Sequence, residues 1–574
     1  MTLLQLGAIR TDETKPLERA PLRIGLLVDS LLVPRWVHSI VDALSRSSFA
    51  DVALVIQNGQ GGQNGRGAAN TGPGLLRRAV AQRRHLLRRL YTGVDDLVFK
   101  STPDPFERVD LAPMLEGRPV LRVTPRQTRH SDYLDDADVS AVRSYRLDVA
   151  LRFGFRILRG EVLTVATHGV WSFHHGDNRV HRGGPAGFWE VMRGEHVTGS
   201  ILQRLTPELD AGQVLYRSWA STYKFSVRKS KTNYYWKSAA FVMRKLRDLY
   251  EEGPAALDGD EREREYRPYS ELIHRAPGNR EMLGLLLRMG ARVAVRAQQG
   301  LFSVGQWFLA YKLASSEGPA ESFHDLQVLV PPRDRFWADP FPVETRGGYF
   351  IFVEEFPYRT AKGHISVIEM DGDGSWKPPV KVLERECHLS YPFVFSWQGR
   401  HYMIPETRSQ QTIELYRSTS FPFEWELEKV LLEGVRAVDA TLAEVDGTWW
   451  MFAGAGVEGA SSNDELYLFS ADTPLGPWRP HRRNPVKSDV RSARPAGRLF
   501  RRNGCLYRPA QDCSVHYGHA ISINRVLRLT RDEFTEEETS KILPRWRKGL
   551  ERTHTLNSAG RLTVIDGFVR RPRL

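Results

Sequence analysis

Apolar and polar positions change rhythm twice along this chain. From Arg23 to Asp29 the run RIGLLVD is almost continuously apolar, the pattern of a strand buried on both faces. Trp36 to Leu44 follows with helical spacing, and Val52 to Asn58 is a second apolar run. Strands alternating with helices predict a parallel or mostly parallel sheet. Tyr234 to Tyr250 (YYWKSAAFVMRKLRDLY) carries a helical period and closes this region. Leu283 to Leu313 is apolar but interrupted by Arg288, Arg292, Arg296 and Gln298, which predicts an amphipathic helix rather than a membrane span. Between these elements, Gly61 to Gly74 reads as a flexible insertion, and residues 253–281 as a charged, Pro- and Gly-punctuated linker.

The second half has another rhythm. Five segments share a short apolar opening, a turn with glycine and an aromatic-rich strand: ADPFPVETRGGYFIFVEE, SYPFVFSWQGRHYMIPET, VDATLAEVDGTWWMFAG, ARPAGRLFRRNGCLYRPAQD and THTLNSAGRLTVIDG. Aligning their openings pairs Asp339, Tyr391, Asp439, Arg494 and His554, at separations of 52, 48, 55 and 60 residues. A period near fifty with a hairpin in each repeat predicts the blades of a five-bladed β-propeller. The predicted fold class is therefore an α/β doubly wound domain followed by an all-β five-bladed propeller. Its layout is a tail at 1–21, the α/β domain at 22–252, a linker and helical connector at 253–305, and the propeller at 306–574.

Composition narrows this reading. A chain of 574 residues is too long for one ordinary core, and 41% hydrophobic residues indicate a globular protein. Three cysteines, Cys387, Cys505 and Cys513, form neither a disulfide framework nor a zinc spacing, so a reducing cytosol is expected. No run of eighteen apolar residues and no signal-peptide core is present, and the expected location is cytoplasmic. The net charge is +13, drawn in part from Arg77, Arg78, Arg83, Arg84, Arg88 and Arg89. This basic segment reads first as a solvated helix face, and second as a contact for substrate phosphates, an anionic membrane surface or RNA. No RNA-binding motif lies beside it, so no nucleic-acid partner is expected. No G-x-G-x-x-G follows the first strand, so a dinucleotide site is unsupported.

Candidate chemistry concentrates between Trp171 and Gly212, WSFHHGDNRVHRGGPAGFWEVMRGEHVTGSILQRLTPELDAG. His174 can accept a proton near neutral pH, and Asp210 in a Leu-Asp-Ala-Gly turn can orient an imidazole. Arg182 to Pro185 reads as a loop that lets backbone approach a ligand. The segment resembles the catalytic stretch of the folate-dependent formyltransferases. That family has Arg-Gly eight residues after its histidine, then Thr-Gly, then Leu-Asp-x-Gly; here these are Arg182-Gly183, Thr198-Gly199 and Leu209-Asp210-Ala211-Gly212. Where the family has asparagine two residues before the histidine, this chain has Ser172, a shorter donor toward an oxyanion.

The resemblance implies formyl transfer from 10-formyltetrahydrofolate to the amine of an amino sugar, nucleotide- or lipid-linked, in glycan biosynthesis. It implies His174 as the proton relay, Asp210 as its orienter and Ser172 among the oxyanion donors. Phe155, Ile157, Leu158, Arg182 and Gly183 would hold the folate, and Asn178 would meet the substrate. No metal is implied.

The repeats resemble the five-bladed family-43-type glycoside hydrolases and, more closely, the N-terminal propeller of plant glucosamine inositolphosphorylceramide transferases. Ala-Asp-Pro-Phe at 338–341, Tyr-Pro-Phe at 391–393, Pro-Glu-Thr at 405–407 and Arg-Pro-Ala-Gly at 494–497 carry the similarity. In the hydrolases the positions matching Asp339, Asp439 and Arg494 hold a base, a tuning aspartate and an acid. Arginine does not give up its proton, so hydrolysis by two carboxylates lacks its acid here unless Glu406 supplies it. Asp339, Glu406, Asp439, Arg494, Gln511, Asp512 and His554 are instead expected to line a carbohydrate-binding centre. The alternative readings are a propeller glycosidase or glycosyltransferase with an accessory formyltransferase-like domain, or a folate- or sugar-binding protein with a weakened site.

Overall fold

The computed structural model describes residues 19–60, 83–208, 212–258, 273–315 and 317–573. The described chain is mostly β with helices.

The first half is built on one seven-stranded sheet. Strands β1 (Leu22–Val28), β2 (Ala50–Asn58), β3 (Val120–Val123), β4 (Val149–Arg152), β5 (Val170–His174), β6 (Val197–Arg204) and β7 (Gln213–Ser221) lie in the order β7-β6-β5-β4-β1-β2-β3. The pairs from β5 through to β3 are parallel, whereas β5–β6 and β6–β7 are antiparallel. Every apolar residue of β1 is buried, as its unbroken apolar run requires of a central strand. The strand order reverses between β1 and β4, which opens a crevice at the carboxyl ends of those strands.

Among the described residues six α-helices accompany the two halves: α1 (Arg35–Ser45), α2 (Leu86–Val98), α3 (Asp136–Ser144), α4 (Phe188–Arg193), α5 (Val227–Glu252) and α6 (Asn279–Phe302). Ser226 caps α5 by accepting from the Lys229 amide at 3.0 Å, and Gly253 ends it at a φ of 79°. The amphipathic helix expected from Leu283 to Leu313 is shorter than its apolar pattern. It stops at Phe302, and Ser303–Leu313 forms strand β8. The cause is tertiary: all eleven residues of β8 pair with β13 (Leu562–Pro572), close to the far end of the chain, and aromatic Trp307, Phe308 and Tyr311 suit a strand. The insertion at 61–74, Arg77, Arg78, and residues 259–272 of the 253–281 linker lie outside the described residues.

The second half consists of five antiparallel sheets in chain succession. One joins the two ends of this region, in the order Gln327–Leu329, β8, β13, Leu556–Ala559. The next three open on β9 (Arg335–Thr345), β10 (Ser390–Trp397) and β11 (Ala437–Val445), and the last contains β12 (Cys505–Asp512). The pairing of β9, β10 and β11 with the following strand slips at the same place each time: Ala338/Phe341, Ser390/Phe393 and Val438/Thr441. At those slips Asp339, Tyr391 and Asp439 take positive φ of 50°, 46° and 54°. The repeat read from the sequence is thus a repeat of backbone geometry.

Helix α5 docks the halves together. Within a shared apolar cluster that includes Trp236, Phe241 and Tyr467, Arg244 meets Glu465 through two bonds of 2.7 and 2.9 Å. Lys237 Nζ also meets Asp464 at 3.0 Å.

Candidate functional site

Two groups of sequence-derived candidates separate in space. Those of the first half gather at the carboxyl ends of β4 and β5, around a cavity of about 220 Å³ lined by Arg152, Ile157, Leu158, Ser172, His174 and Glu208. The Ser172 hydroxyl accepts from Arg152 Nη1 at 2.9 Å, and that guanidinium also binds the Phe155 and Arg156 carbonyls. Burial pulls the Arg152 guanidinium below its usual range, with Asp29 and Asp132 opposing. The sequence reading assigned this buried cation no role. His174 Nε2 lies 3.1 Å from the His181 carbonyl. Asp210, its expected orienter, lies outside the described residues.

The other first-half candidates are held by the protein itself. Phe155 is buried at a φ of 63°, with its amide donating to Asp29 Oδ1 at 2.9 Å, and does not line the cavity. Asn178 Oδ1 accepts from Arg217 at 3.0 Å, and the Asn178 carbonyl accepts from Arg182 Nε at 2.9 Å. Gly183 has a φ of 91° and pairs with His274, whose carbonyl oxygen would stand 2.3 Å from an added Cβ. His175 stacks on Tyr235 at 3.8 Å in an aromatic core, and burial drives its imidazole well below its ordinary value.

In the second half the openings of successive sheets do converge. Asp339 Oδ1 accepts from Thr555 Oγ1 at 2.6 Å, and Asp339 Oδ2 from the Tyr391 amide at 3.3 Å. The Tyr391 hydroxyl bonds Thr441 Oγ1 and the Gly497 amide, each at 2.8 Å. Arg494 Nε meets Asp439 Oδ2 at 2.5 Å, its Nη2 meets Asp439 Oδ1 at 3.0 Å and Glu406 at 3.3 Å. Gln511 donates to Asp439 at 2.7 Å. His554 Nδ1 lies 2.5 Å from Asp566, and Trp307 stacks on its ring at 4.0 Å. Asp512 stands apart, salt-bridged to Lys541 at 2.8 Å. Among the sequence candidates, Asp339, Glu406, Asp439, Arg494, Gln511 and His554 therefore belong to one buried network.

Sequence reasoning missed Glu354, Thr555, Asp566 and Tyr517. Single carboxylates inside strands carry no motif, and Asp566 enters only because β13 closes against β8. Tyr517 is exposed, with Arg494 4.8 Å from its ring centre and His554 edge-on at 5.4 Å. It forms a wet aromatic cover on an otherwise buried charged cluster.

Crowding sets the protonation. Burial, reinforced by Asp439 and Asp566 and opposed by His554, pushes the Asp339 carboxyl up to about 6. Burial raises Glu406 to about 8 despite the nearby Arg494. Glu354 lies well above the carboxylate range through burial and its acidic neighbours. Burial would lower the His554 imidazole, but Asp566 and Asp339 outweigh it and hold it above its ordinary value. At neutral pH the cluster thus contains two carboxyls that keep their protons, Glu354 and Glu406, and one that has lost it, Asp339. Environments that split two carboxyls this way create a donor and an acceptor. Asp339, His554 and Asp566 place three possible metal-ligand atoms within 4.8 Å of one another. His554 Nδ1 and Asp566 already satisfy each other, so a cation would have to displace the proton between them.

With this geometry in view, the comparisons with known proteins address the second half. Residues 330–561 match the family model described as "Glucosamine inositolphosphorylceramide transferase 1, N-terminal". The chain is 38% identical over 247 residues to "Glucosamine inositolphosphorylceramide transferase 1" of Oryza sativa subsp. japonica, covering 40% of this chain and 33% of that protein. It therefore spans about a third of that relative's length. Among solved structures it is similar to Zg3597, a family 117 glycoside hydrolase from Zobellia galactanivorans, at 14% identity over 46% of this chain and 91% of that one, with a TM-score of 0.31. It is also similar to glycinamide ribonucleotide transformylase 1 from Symbiobacterium toebii, at 18% identity over 43% and 90%, with a TM-score of 0.24. Likenesses at those scores bear on neither chemistry nor family.

These findings correct four expectations. The relatives are named for transfer involving glucosamine and a ceramide lipid, so formyl transfer and a one-carbon transferase class do not stand, nor does the folate-enzyme description attached to them. The cytoplasmic expectation does not stand either, because a ceramide-based lipid resides in a membrane. Among the described residues no helix is long and apolar enough to cross one.

Proposed function

We propose that this chain handles a glycosyl group in a glycosyl-transfer reaction, and that the five sheets of its second half are propeller blades whose shared centre holds the sugar. The first half is then a doubly wound α/β domain accessory to that centre. The observation that carries the reading is the convergence of Asp339, Glu406, Asp439, Arg494 and His554 within the very stretch that matches the transferase N-terminal family.

The family match, rather than the proton inventory, favours transfer over hydrolysis, because the same two carboxyls would serve water as an acceptor. Arg494 is locked between Asp439 and Glu406 and keeps its proton at any working pH. It can hold sugar hydroxyls or a substrate phosphate but cannot act as a general acid. Glu406 is one of the groups that carry a proton near neutrality, and it lies against Arg494. In this reading the acceptor hydroxyl gives its proton to Asp339 as its oxygen bonds the anomeric carbon. The bond from that carbon to the leaving oxygen breaks, and the leaving oxygen takes the Glu406 proton. Tyr517, the partly exposed aromatic ring of the cluster, holds Arg494 against its face and would offer its outer side to a pyranose ring. The relatives' name suggests a hexosamine and an inositolphosphoryl lipid as the two partners.

The test is to incubate the purified chain with nucleotide-activated hexosamine and inositolphosphorylceramide and to follow hexosamine addition to the lipid by mass. Transfer, or hexosamine binding without transfer, lost in Asp339→Asn supports the site. Neither binding nor transfer at any concentration removes the reading.

A further inference from the structure

Helices α2 and α6 carry apolar residues on their solvent sides as well as on their packed sides, unlike an ordinary surface helix. They are tied at their starts by Asn279, whose side-chain oxygen accepts from the Leu87 amide at 3.1 Å and whose amide donates to the Arg84 carbonyl at 2.9 Å. Their inner faces are accounted for: Leu87, Tyr91, Met282, Leu285 and Met289 pack with Phe188, Trp189 and Met192. Among the described residues nothing covers their outer faces. On α2, Leu86, Leu90, Val94 and Leu97 recur at helical spacing, with Leu90 57% and Leu97 82% exposed. On α6, Leu283, Leu287 and Leu301 do the same, with Leu287 68% and the terminal Phe302 68% exposed.

Half of the exposed large hydrophobic residues among the described part of the chain lie on these two helices. Scattered exposed leucines are normal, but a concentration of this kind marks an interaction surface. Its charge is one-sided. Beside the leucines stand Arg83, Arg84, Arg89 and Lys100 on or next to α2, and Arg280 and Arg288 on α6, all exposed. Of the three acidic residues on these helices, Asp95 is buried, where its carboxylate accepts from the Arg228 amide at 2.7 Å. Asp96 faces Arg228 at 3.5 Å, which leaves Glu281 in the first turn of α6.

Leucines flanked by long cationic side chains match a lipid surface more closely than a protein one. The aliphatic stems extend the apolar zone, while the guanidinium groups reach headgroup phosphates. A protein interface core is instead enriched in aromatics and set in a complementary hollow. We propose that the α2–α6 face docks this protein onto an anionic bilayer, with both helices lying in the plane of the interface and neither crossing it. The inference goes beyond glycosyl handling and fails or succeeds separately from it, because its variants lie outside the buried cluster.

The experiment is flotation of the full chain with phosphatidylcholine vesicles, with and without about 30% phosphatidylserine. The wild type is expected to float with the anionic vesicles and to be released as salt rises. The pair Leu97→Glu and Leu287→Glu is expected to weaken vesicle binding at least about 10-fold, since it places charge in the apolar zone. Both positions are exposed, so folding should be retained, and unchanged circular dichroism checks this. The pair Arg83→Gln and Arg280→Gln is expected to weaken binding to the anionic vesicles alone. Absence of flotation, or flotation unchanged by the two glutamates, overturns the proposal. So does a concentration-dependent dimer that the same glutamates abolish, because the occupant is then a second copy.

Discussion

Arg494 grips Asp439 with two nitrogens, Nε 2.5 Å from Oδ2 and Nη2 3.0 Å from Oδ1, and both side chains are buried. The pair ties strand β11 to the segment that leads into the last sheet. Replacing Arg494 with Met leaves Asp439 buried without its cation, at a cost of about 3–5 kcal/mol. Equilibrium urea unfolding should show that loss, and Arg494→Met combined with Asp439→Leu should recover much of it. Equal stability of the single variant and wild type would mean the pair is not buried as described.

Glu406 makes stability depend on pH in a definite direction. Its folded carboxyl titrates near 8, well above the usual carboxylate value, so the folded protein holds this proton more tightly than the unfolded chain. The resulting contribution is complete in acid, below the unfolded carboxylate value, and is lost as pH rises to and through about 8. Thermal unfolding of Glu406→Gln, compared with wild type across this range, should show the variant gaining relative stability as pH rises. A constant difference between the two proteins would contradict the shift.

The two halves should unfold together. Arg244 on α5 bonds both carboxylate oxygens of Glu465, at 2.7 and 2.9 Å, and neither partner is exposed. Arg244→Met removes that clamp at roughly 3–5 kcal/mol, the usual consequence of stranding one buried charge. Calorimetry is expected to show one transition for wild type and two for the variant. A single transition shifted by less than a degree would show that α5 does not couple the halves.

Gly183 is constrained by its backbone and by its neighbour. At a φ of 91°, with the His274 carbonyl oxygen 2.3 Å from where a Cβ would sit, Gly183→Ala should cost about 1–3 kcal/mol or more. Amide exchange around Arg182 and His274 should accelerate in the variant. Unaltered exchange there would mean that the loop tolerates a side chain.

The sequence exposed the repeats because they are geometric as well as compositional. Asp339, Tyr391 and Asp439 align as openings, and each occupies the same slip in strand pairing at positive φ. Arg494 and His554 align less cleanly because neither lies within a named strand. What stayed hidden depends on distant pairing. The helix expected to Leu313 ends at Phe302 because β8 finds β13 at the far end of the chain, and the same closure brings in Asp566. In the first half the spacing of His174, Arg182 and Gly183 supported a family resemblance, but spacing alone could not reveal Arg152 occupying the Ser172 hydroxyl.

The most direct test of the central claim is titration of the full chain with a hexosamine-terminated glycan, followed by saturation-transfer NMR and calorimetry from about pH 5 to about pH 9. In this reading ionised Asp339 accepts from, and protonated Glu406 donates to, the bound glycan as well, so affinity should peak between about 6 and about 8. Arg494→Met should weaken it at least about 10-fold, and Glu406→Gln should remove the alkaline decline. Binding that is absent at every pH, or equal in wild type and Arg494→Met, would contradict a glycosyl-handling centre.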